Sequence, residues 1–252
     1  MTLLQFFLDI GLGLLLGSLG GLFGIGGGLL AIPALGLLFG LDQQAAQGTA
    51  LVMVVPNVLL ALYRYHQRNR IDWRHAALLA GASFCMAWIG AALAVDLDAA
   101  AMRRGFVGFM LVLAAWNLIQ LFLRPGSAAA SGLSRPWPWL GALGAGAGLV
   151  GGLFGVGGAV VATPVLTLAF GAAQVVAQGL SLALAAPSTV VTLVTYAAHG
   201  EVLWSTGIPL ALGGLLSIGW GVKLAHALPP RLLRGLFSLF LVLCAALLGW
   251  CA

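Results

Sequence analysis

Apolar residues fill eight blocks of this chain, at approximately 3–40, 44–63, 74–95, 104–123, 138–170, 174–198, 204–227 and 232–251. Short polar or proline-bearing stretches separate them. Most blocks are close to the ~20 residues that a helix needs to cross a hydrocarbon core of ~30 Å. The runs are continuous, whereas transmembrane β-strands alternate between polar and apolar residues. The pattern predicts an all-α, polytopic membrane protein. Two blocks are too long for one crossing: residues 3–40 as a single helix would extend about 57 Å. Each contains a glycine cluster, Gly24–Gly28 or Gly155–Gly158. Glycine costs ~1 kcal/mol per helical position relative to alanine. The clusters are therefore expected to break their blocks into a hairpin or two half-helices. That gives eight spans, or ten if the broken blocks form full hairpins.

Composition narrows the class. Hydrophobic residues make up 62% of the 252, and only 11 Lys and Arg and 6 Asp and Glu are present. A soluble domain carries ~25% charge, so a soluble enzyme and a disordered chain are both excluded. The net charge of +5 does not indicate nucleic acid. Its densest patch, Arg64, Arg68, Arg70 and Arg74 with His66 and His75, falls between blocks, as in a cytoplasmic loop. Cys85, Cys244 and Cys251 form no CxxC and indicate neither a disulfide framework nor a metal site. Residues 1–17 lack a basic leading region, and Asp9 interrupts their apolar run. They read as part of a first span and not as a cleaved signal.

The chain also repeats itself. Residues 20–57 align without a gap on residues 151–188, an offset of 131, with 19 of 38 positions identical. Tyr65 then falls on Tyr196, and Trp73 on Trp204. The expected organisation is repeat 1 at 1–123, a Pro/Gly/Ser-bearing linker at 124–137 and repeat 2 at 138–252. Positive-inside counting favours an inverted second repeat. With the 64–74 loop inside, the inverted arrangement also places Arg124, Arg135, Lys223, Arg231 and Arg234 inside, leaving Arg103 and Arg104 outside. A parallel arrangement would divide the basic residues almost evenly.

The repeated positions carry the candidate chemistry. Gly26, Gly27 and Gly28, and Gly157 and Gly158, precede short apolar runs holding Pro33 and Pro164. A half-helix beginning after such glycines presents unpaired N–H groups and the positive end of its dipole to an anion. Gly24, Gly155, Pro33, Pro164, Pro56 and Pro187 are the expected hinges or helix breaks. Gln47, Thr49 and Asn57 in the first half, and Gln178, Ser181 and Ser188 in the second, complete the candidate binding set. Thr189 is a further hydroxyl nearby. Gly13, Gly17 and Gly21, and Gly144, Gly148 and Gly152, have the spacing of helix-packing residues. No carboxylate or cation is placed mid-block, and Asp9 lies near a block start with no acidic counterpart. No nucleotide-binding, metalloprotease or serine-protease pattern is present. No catalytic residue, cofactor or metal is expected.

At GLFGIGGGLLAIPAL (21–35) with QGTALVMVVPN (47–57), and at GLFGVGGAVVATPVL (152–166) with QGLSLALAAPS (178–188), the sequence resembles the TauE/SafE family, the sulfite exporters or anion permeases. NRIDW (69–73) and GEVLW (200–204) fit as well. The second copy departs where Ala159 replaces the third glycine and Leu180-Ser181 stands for Thr49-Ala50. The resemblance implies a multi-pass permease of the cytoplasmic (inner) membrane that moves sulfite, sulfonates or other small sulfur-containing organic anions. Its partners would be the anion, the bilayer, a coupling proton or sodium ion, and a second copy in a homodimer. A passive anion channel and a non-transporting assembly protein are the alternatives.

Overall fold

The computed structural model describes residues 3–68, 72–123 and 138–250 and is all-α. The linker expected at 124–137 lies outside the described residues, as do residues 69–71 of the basic loop. The helices are α1 (Leu3–Phe23), α2 (Gly28–Phe39), α3 (Gln43–Arg68), α4 (Trp73–Val95), α5 (Ala99–Leu123), α6 (Pro138–Phe154), α7 (Ala159–Ala169), α8 (Gln174–Ala198), α9 (Trp204–Ala227) and α10 (Pro230–Trp250). Six of them contain stretches long and apolar enough to cross a membrane, within α1, α3, α4, α5, α8 and α9. Both overlong blocks are broken where the glycines stand. α2, at 12 residues, and α7, at 11, are ~18 Å or less in length, too short for a bilayer core.

Local chemistry sets the breaks. Gly24, Gly26 and Gly27 have φ of 70°, 70° and 94°, and Gly155, Gly157 and Gly158 have 66°, 73° and 75°. L-residues with a side chain lose roughly 1–2 kcal/mol in that region, so the α-helix stops there. α2 stops again at Gly40, whose φ is 64°. Three of the six acids act at helix starts. Asp42 accepts from the N–H of Ala45 at 2.8 Å, Asp72 from Arg74 at 2.9 Å and Asp98 from Ala101 at 3.0 Å. The Arg74 N–H and the neighbouring His75 hold the Asp72 carboxyl below its ordinary range.

Close glycine contacts give the helix directions. A Cβ on Gly13 would strike the Leu210 carbonyl, one on Gly17 would lie 2.5 Å from the Gly214 Cα, and one on Gly21 would strike the Ile218 carbonyl. α1 and α9 are therefore parallel and packed backbone to backbone. Gly144, Gly148 and Gly152 meet Leu79, Ser83 and Ala87 in the same way, so α6 and α4 are parallel. These are the glycines whose spacing pointed to packing. α3 runs with α9, because Gly207 lies on Val52 and Gly219 on Arg64. α4 runs against α3, because Gln44 at the start of α3 donates to the Leu97 carbonyl just beyond α4, at 2.6 Å. α8 also runs against α3: Gln47 bonds Tyr196, and Tyr65 bonds Gln178. α1, α3 and α9 thus share one direction, and α4, α6 and α8 the other.

The core is apolar, with Leu29, Ile32, Met53, Phe106 and Leu182 fully buried. The outside is apolar as well: Leu216, Trp88 and Trp220 are more than half exposed. Such a surface suits lipid and not water. Trp73 and Trp204 open α4 and α9 with half-exposed rings, at the level where aromatic residues anchor a bilayer interface. The Lys223 ammonium stands 5.4 Å from the Trp220 ring, its charge held toward an aromatic face at the end of α9.

Candidate functional site

The two glycine turns lie in the middle of the bundle and touch. Gly26 and Gly28 pack on Val54 and Val58, halfway along α3. Gly157 packs on Ala185 and Thr189, halfway along α8. A Cβ on Gly28 would stand 3.4 Å from the Gly155 carbonyl oxygen and 3.8 Å from the Val156 Cα. α2 starts from one turn with Gly27 as its N-cap, and α7 from the other with Gly158; neither cap has a side-chain hydrogen bond. Leu30 and Ala31 donate to the Gly27 carbonyl, and Val161 and Ala162 to that of Gly158. The N–H groups ahead of them have no acceptor within their own helix, and the positive dipole ends add to them.

One face of each long helix serves the turns. On α3 it carries Gln47, Ala50, Val54 and Asn57, and on α8 Gln178, Ser181, Ala185 and Ser188, at i, i+3/i+4 spacing. Asn57 donates to the Gly26 carbonyl at 3.3 Å, and Ser188 to the Gly157 carbonyl at 3.0 Å. Each side chain ties the mid-point of a long helix to the turn of its own half. The glutamines cross over: Gln178 lies against Gly24 and Gln47 against Gly155. Gln47 Oε1 accepts from the Tyr196 hydroxyl at 2.6 Å, and Gln178 Oε1 from the Tyr65 hydroxyl at 3.2 Å.

Three buried atoms of this set have no partner among the described residues: Gln47 Nε2, Asn57 Oδ1 and Ser181 Oγ. A buried polar atom left unsatisfied costs ~1–3 kcal/mol, so such atoms call for a ligand or a water. Thr49 lies on another face of α3. Its Oγ1 accepts from the Leu203 N–H at 3.0 Å, at the start of α9. Pro33 and Pro164 sit inside α2 and α7, and Pro56 and Pro187 inside α3 and α8. Each removes a helical donor and frees a carbonyl one turn back. Among the described residues, no group of three His, Cys, Asp or Glu is placed to hold a metal ion. Glu201 lies in the α8–α9 loop, where burial first and the Asp42 charge second push its carboxyl up.

Tyr65 and Tyr196 are the members of the set that motif reading did not single out. Their signal was the repeat register alone, since buried tyrosines with equivalent positions need equivalent partners. Tyr196→Phe is expected to orphan Gln47 Oε1 and to lower stability by about 1 kcal/mol. A double-mutant cycle with Gln47→Leu, read by thermal unfolding in detergent, should recover most of that loss.

A helical bundle with an apolar outer surface, two short helices starting from glycine turns that touch at its centre, and buried amides around those turns has the build of a multi-pass membrane transporter. The chain belongs to the sulfite exporter TauE/SafE family, which it matches over residues 10–248. It is 28% identical over 256 residues to a probable membrane transporter protein of Xylella fastidiosa, covering 99% of this chain and 97% of the relative. A probable membrane transporter protein of Methanocaldococcus jannaschii is 27% identical over 252 residues, covering 92% and 93%. One from Bacillus subtilis is 23% identical over 261 residues, covering 95% and 96%. The protein is a transporter, not an enzyme, and its partners include a small substrate and the lipid bilayer.

Proposed function

We propose that this chain is a permease for a small anion: sulfite, a sulfonate or another small sulfur-containing organic anion. The anion binds between the two glycine turns, held by the N–H groups at Gly26–Gly28 and at Gly158, while the Gly157 N–H donates to the Gly151 carbonyl. Gln47, Gln178, Asn57, Ser181 and Ser188 surround it, and Thr49 stabilises the adjoining loop. The observation that carries this reading is the contact of the α2 start with the turn that precedes α7, midway along α3 and α8, with two unpartnered donors buried nearby, Gln47 Nε2 and Ser181 Oγ. None of the residues so placed is a carboxylate, so the surroundings favour a negative charge.

Transport follows alternating access between two inverted repeats, 1–123 and 138–252. Supporting this, helix starts in the second half fall at the offset of the sequence repeat, as with Gly28 and Ala159, Gln43 and Gln174, and Trp73 and Trp204. The opposite directions of α3 and α8 agree with inversion. The basic ends of α3 and α9 then face the cytoplasm across the cytoplasmic membrane.

The test is flux of labelled sulfite, sulfoacetate, taurine and thiosulfate into liposomes holding the purified full chain. Saturable uptake of at least one is expected. Unsaturable flux would make the protein a channel, and no flux of any would overturn the reading. Topology is read separately. A single cysteine at Gln67 and one at Gly200, in an otherwise cysteine-free chain, are expected to label from opposite sides of the membrane. Labelling from one side would sink the inverted arrangement.

A further inference from the structure

Asp9 stands apart from the acids that cap helices. It lies in α1 beside Phe7 and Leu8, which are 66% and 63% exposed, yet it is itself 1% exposed. Its Oδ2 has no hydrogen-bond partner among the described residues. It shares the buried stripe of α1 with Gly13, Leu16 and Gly17, and so faces α9. One turn back from the Gly13–Leu210 contact, its level on α9 is that of Thr206, which is buried. Pro209, inside α9, has no N–H and leaves the Ser205 carbonyl without its helical donor at this level. At the repeat offset, Asp9 and Pro209 correspond to Leu140 and Leu78. The α4–α6 seam therefore packs without either feature, and packing does not account for them.

The charged groups on neighbouring elements stand elsewhere. On α9, Lys223 and His226 lie beyond Gly219, toward the other end. On α3, Arg64 is level with Gly219, and His66 and Arg68 follow it. α2 carries no titratable residue, and Tyr65 is bonded to Gln178. On α10, Arg231 and Arg234 occupy the first turns, whereas Leu248 near its other end meets Gly36. Cys244 is buried within α10. The groups at the Asp9 end of the bundle are Asp42, His199 and Glu201, in or beside loops, and Asp96, Asp98, Arg103 and Arg104 at and just after the α4–α5 turn. A carboxylate facing α9 with no cation beside it is an unpaired buried charge, which costs several kcal/mol. A proton removes that charge with one atom, and the freed Ser205 carbonyl and the Thr206 hydroxyl lie at its level on α9. A hard metal cation would need several oxygen ligands.

We infer that Asp9 is the proton-carrying group that couples anion flux to a proton gradient, an inference that rests on the permease reading above. In each cycle its carboxylate takes a proton from water on one side and returns it to water on the other. The amide of Asp9→Asn keeps the shape of the side chain but cannot titrate.

Liposomes holding the full chain and labelled sulfoacetate, or thiosulfate if that is carried instead, decide the matter, because both anions stay fully ionised near neutral pH. A pH step of about one unit gives a tenfold proton ratio, ~1.4 kcal/mol per coupled proton. It should raise the initial wild-type rate severalfold. Asp9→Asn should lose that response yet still exchange labelled for unlabelled anion at equal pH, and Asp9→Glu should recover part of it. Infrared difference spectra across neutral pH should show a carboxyl band that Asp9→Asn lacks. An Asp9→Asn protein that follows the pH step like wild type would overturn the inference. So would flux driven by a sodium gradient alone, or an unchanged carboxyl band. If wild type moves none of the four anions, the permease reading itself fails, and the infrared band still reports whether Asp9 titrates.

Discussion

Gly148→Leu is expected to yield little or no folded protein, whereas Gly146→Leu, two residues away on the same helix, should fold as well as wild type. A Cβ at position 148 would strike the Ser83 carbonyl and come within 2.6 Å of the Ser83 Cα. Backbone atoms in a packed helix cannot swing aside, so the whole α4–α6 seam must separate. Overpacking costs ~1–3 kcal/mol where side chains can adjust, and more where they cannot. Gly146 is exposed, with nothing within 4 Å of its Cβ position, and leucine there gains ~0.8 kcal/mol of helix propensity. The seam between α1 and α9 should give the same contrast, with Gly17→Leu failing and Gly11→Leu tolerated. Monodisperse yield after detergent extraction is the measurement. Equal yields from Gly148→Leu and Gly146→Leu would mean the seam is looser than its contacts require.

Gly27→Leu is expected to abolish transport while the chain still folds and reaches the membrane. The backbone there has φ 94°, which costs leucine roughly 1–2 kcal/mol. Its Cβ would lie 3.1 Å from the Leu16 carbonyl oxygen and 3.1 Å from the Met53 methyl. The methionine end can move and the Leu16 oxygen stands at 3.1 Å, against 2.6 Å for the Ser83 Cα at Gly148, so the loss of stability stays below that of a seam glycine. The isobutyl group nonetheless fills the junction where α2 begins. Gly40→Leu is the control for strain alone. Gly40 has φ 64° but nothing within 4 Å of its Cβ position. Flux per folded molecule should vanish for Gly27→Leu and persist for Gly40→Leu. Normal flux from Gly27→Leu would move the substrate away from the turns.

The helix breaks were legible because glycine is the residue that tolerates positive φ, and its clusters fell where blocks were too long. The packing glycines were legible because period four on a helix makes one narrow face. What each helix packs against was not. In lipid both the buried and the exposed faces are apolar, so the pattern that orients a soluble helix is missing. Nothing around Gly13 names Leu210 as its neighbour. Thr49 and Ser181 read alike as hydroxyls beside a repeated Gln-Gly pair, yet they sit on different faces of α3 and α8. One supports the loop before α9, and the other faces the turns. Asp9 looked like a terminal acid because its block begins only a few residues earlier. The contact with α9 that buries it comes from the far end of the chain.

That long-range seam fixes an order of events during synthesis. α1 ends at Phe23 and its mate α9 starts only at Trp204, and translation proceeds at about 5–20 residues per second. For tens of seconds α1 sits in the bilayer with its glycine groove open and Asp9 facing lipid or the insertion machinery. Helix α9 closes the groove from the second half of the sequence, so α1 stays unlatched until α9 has been translated.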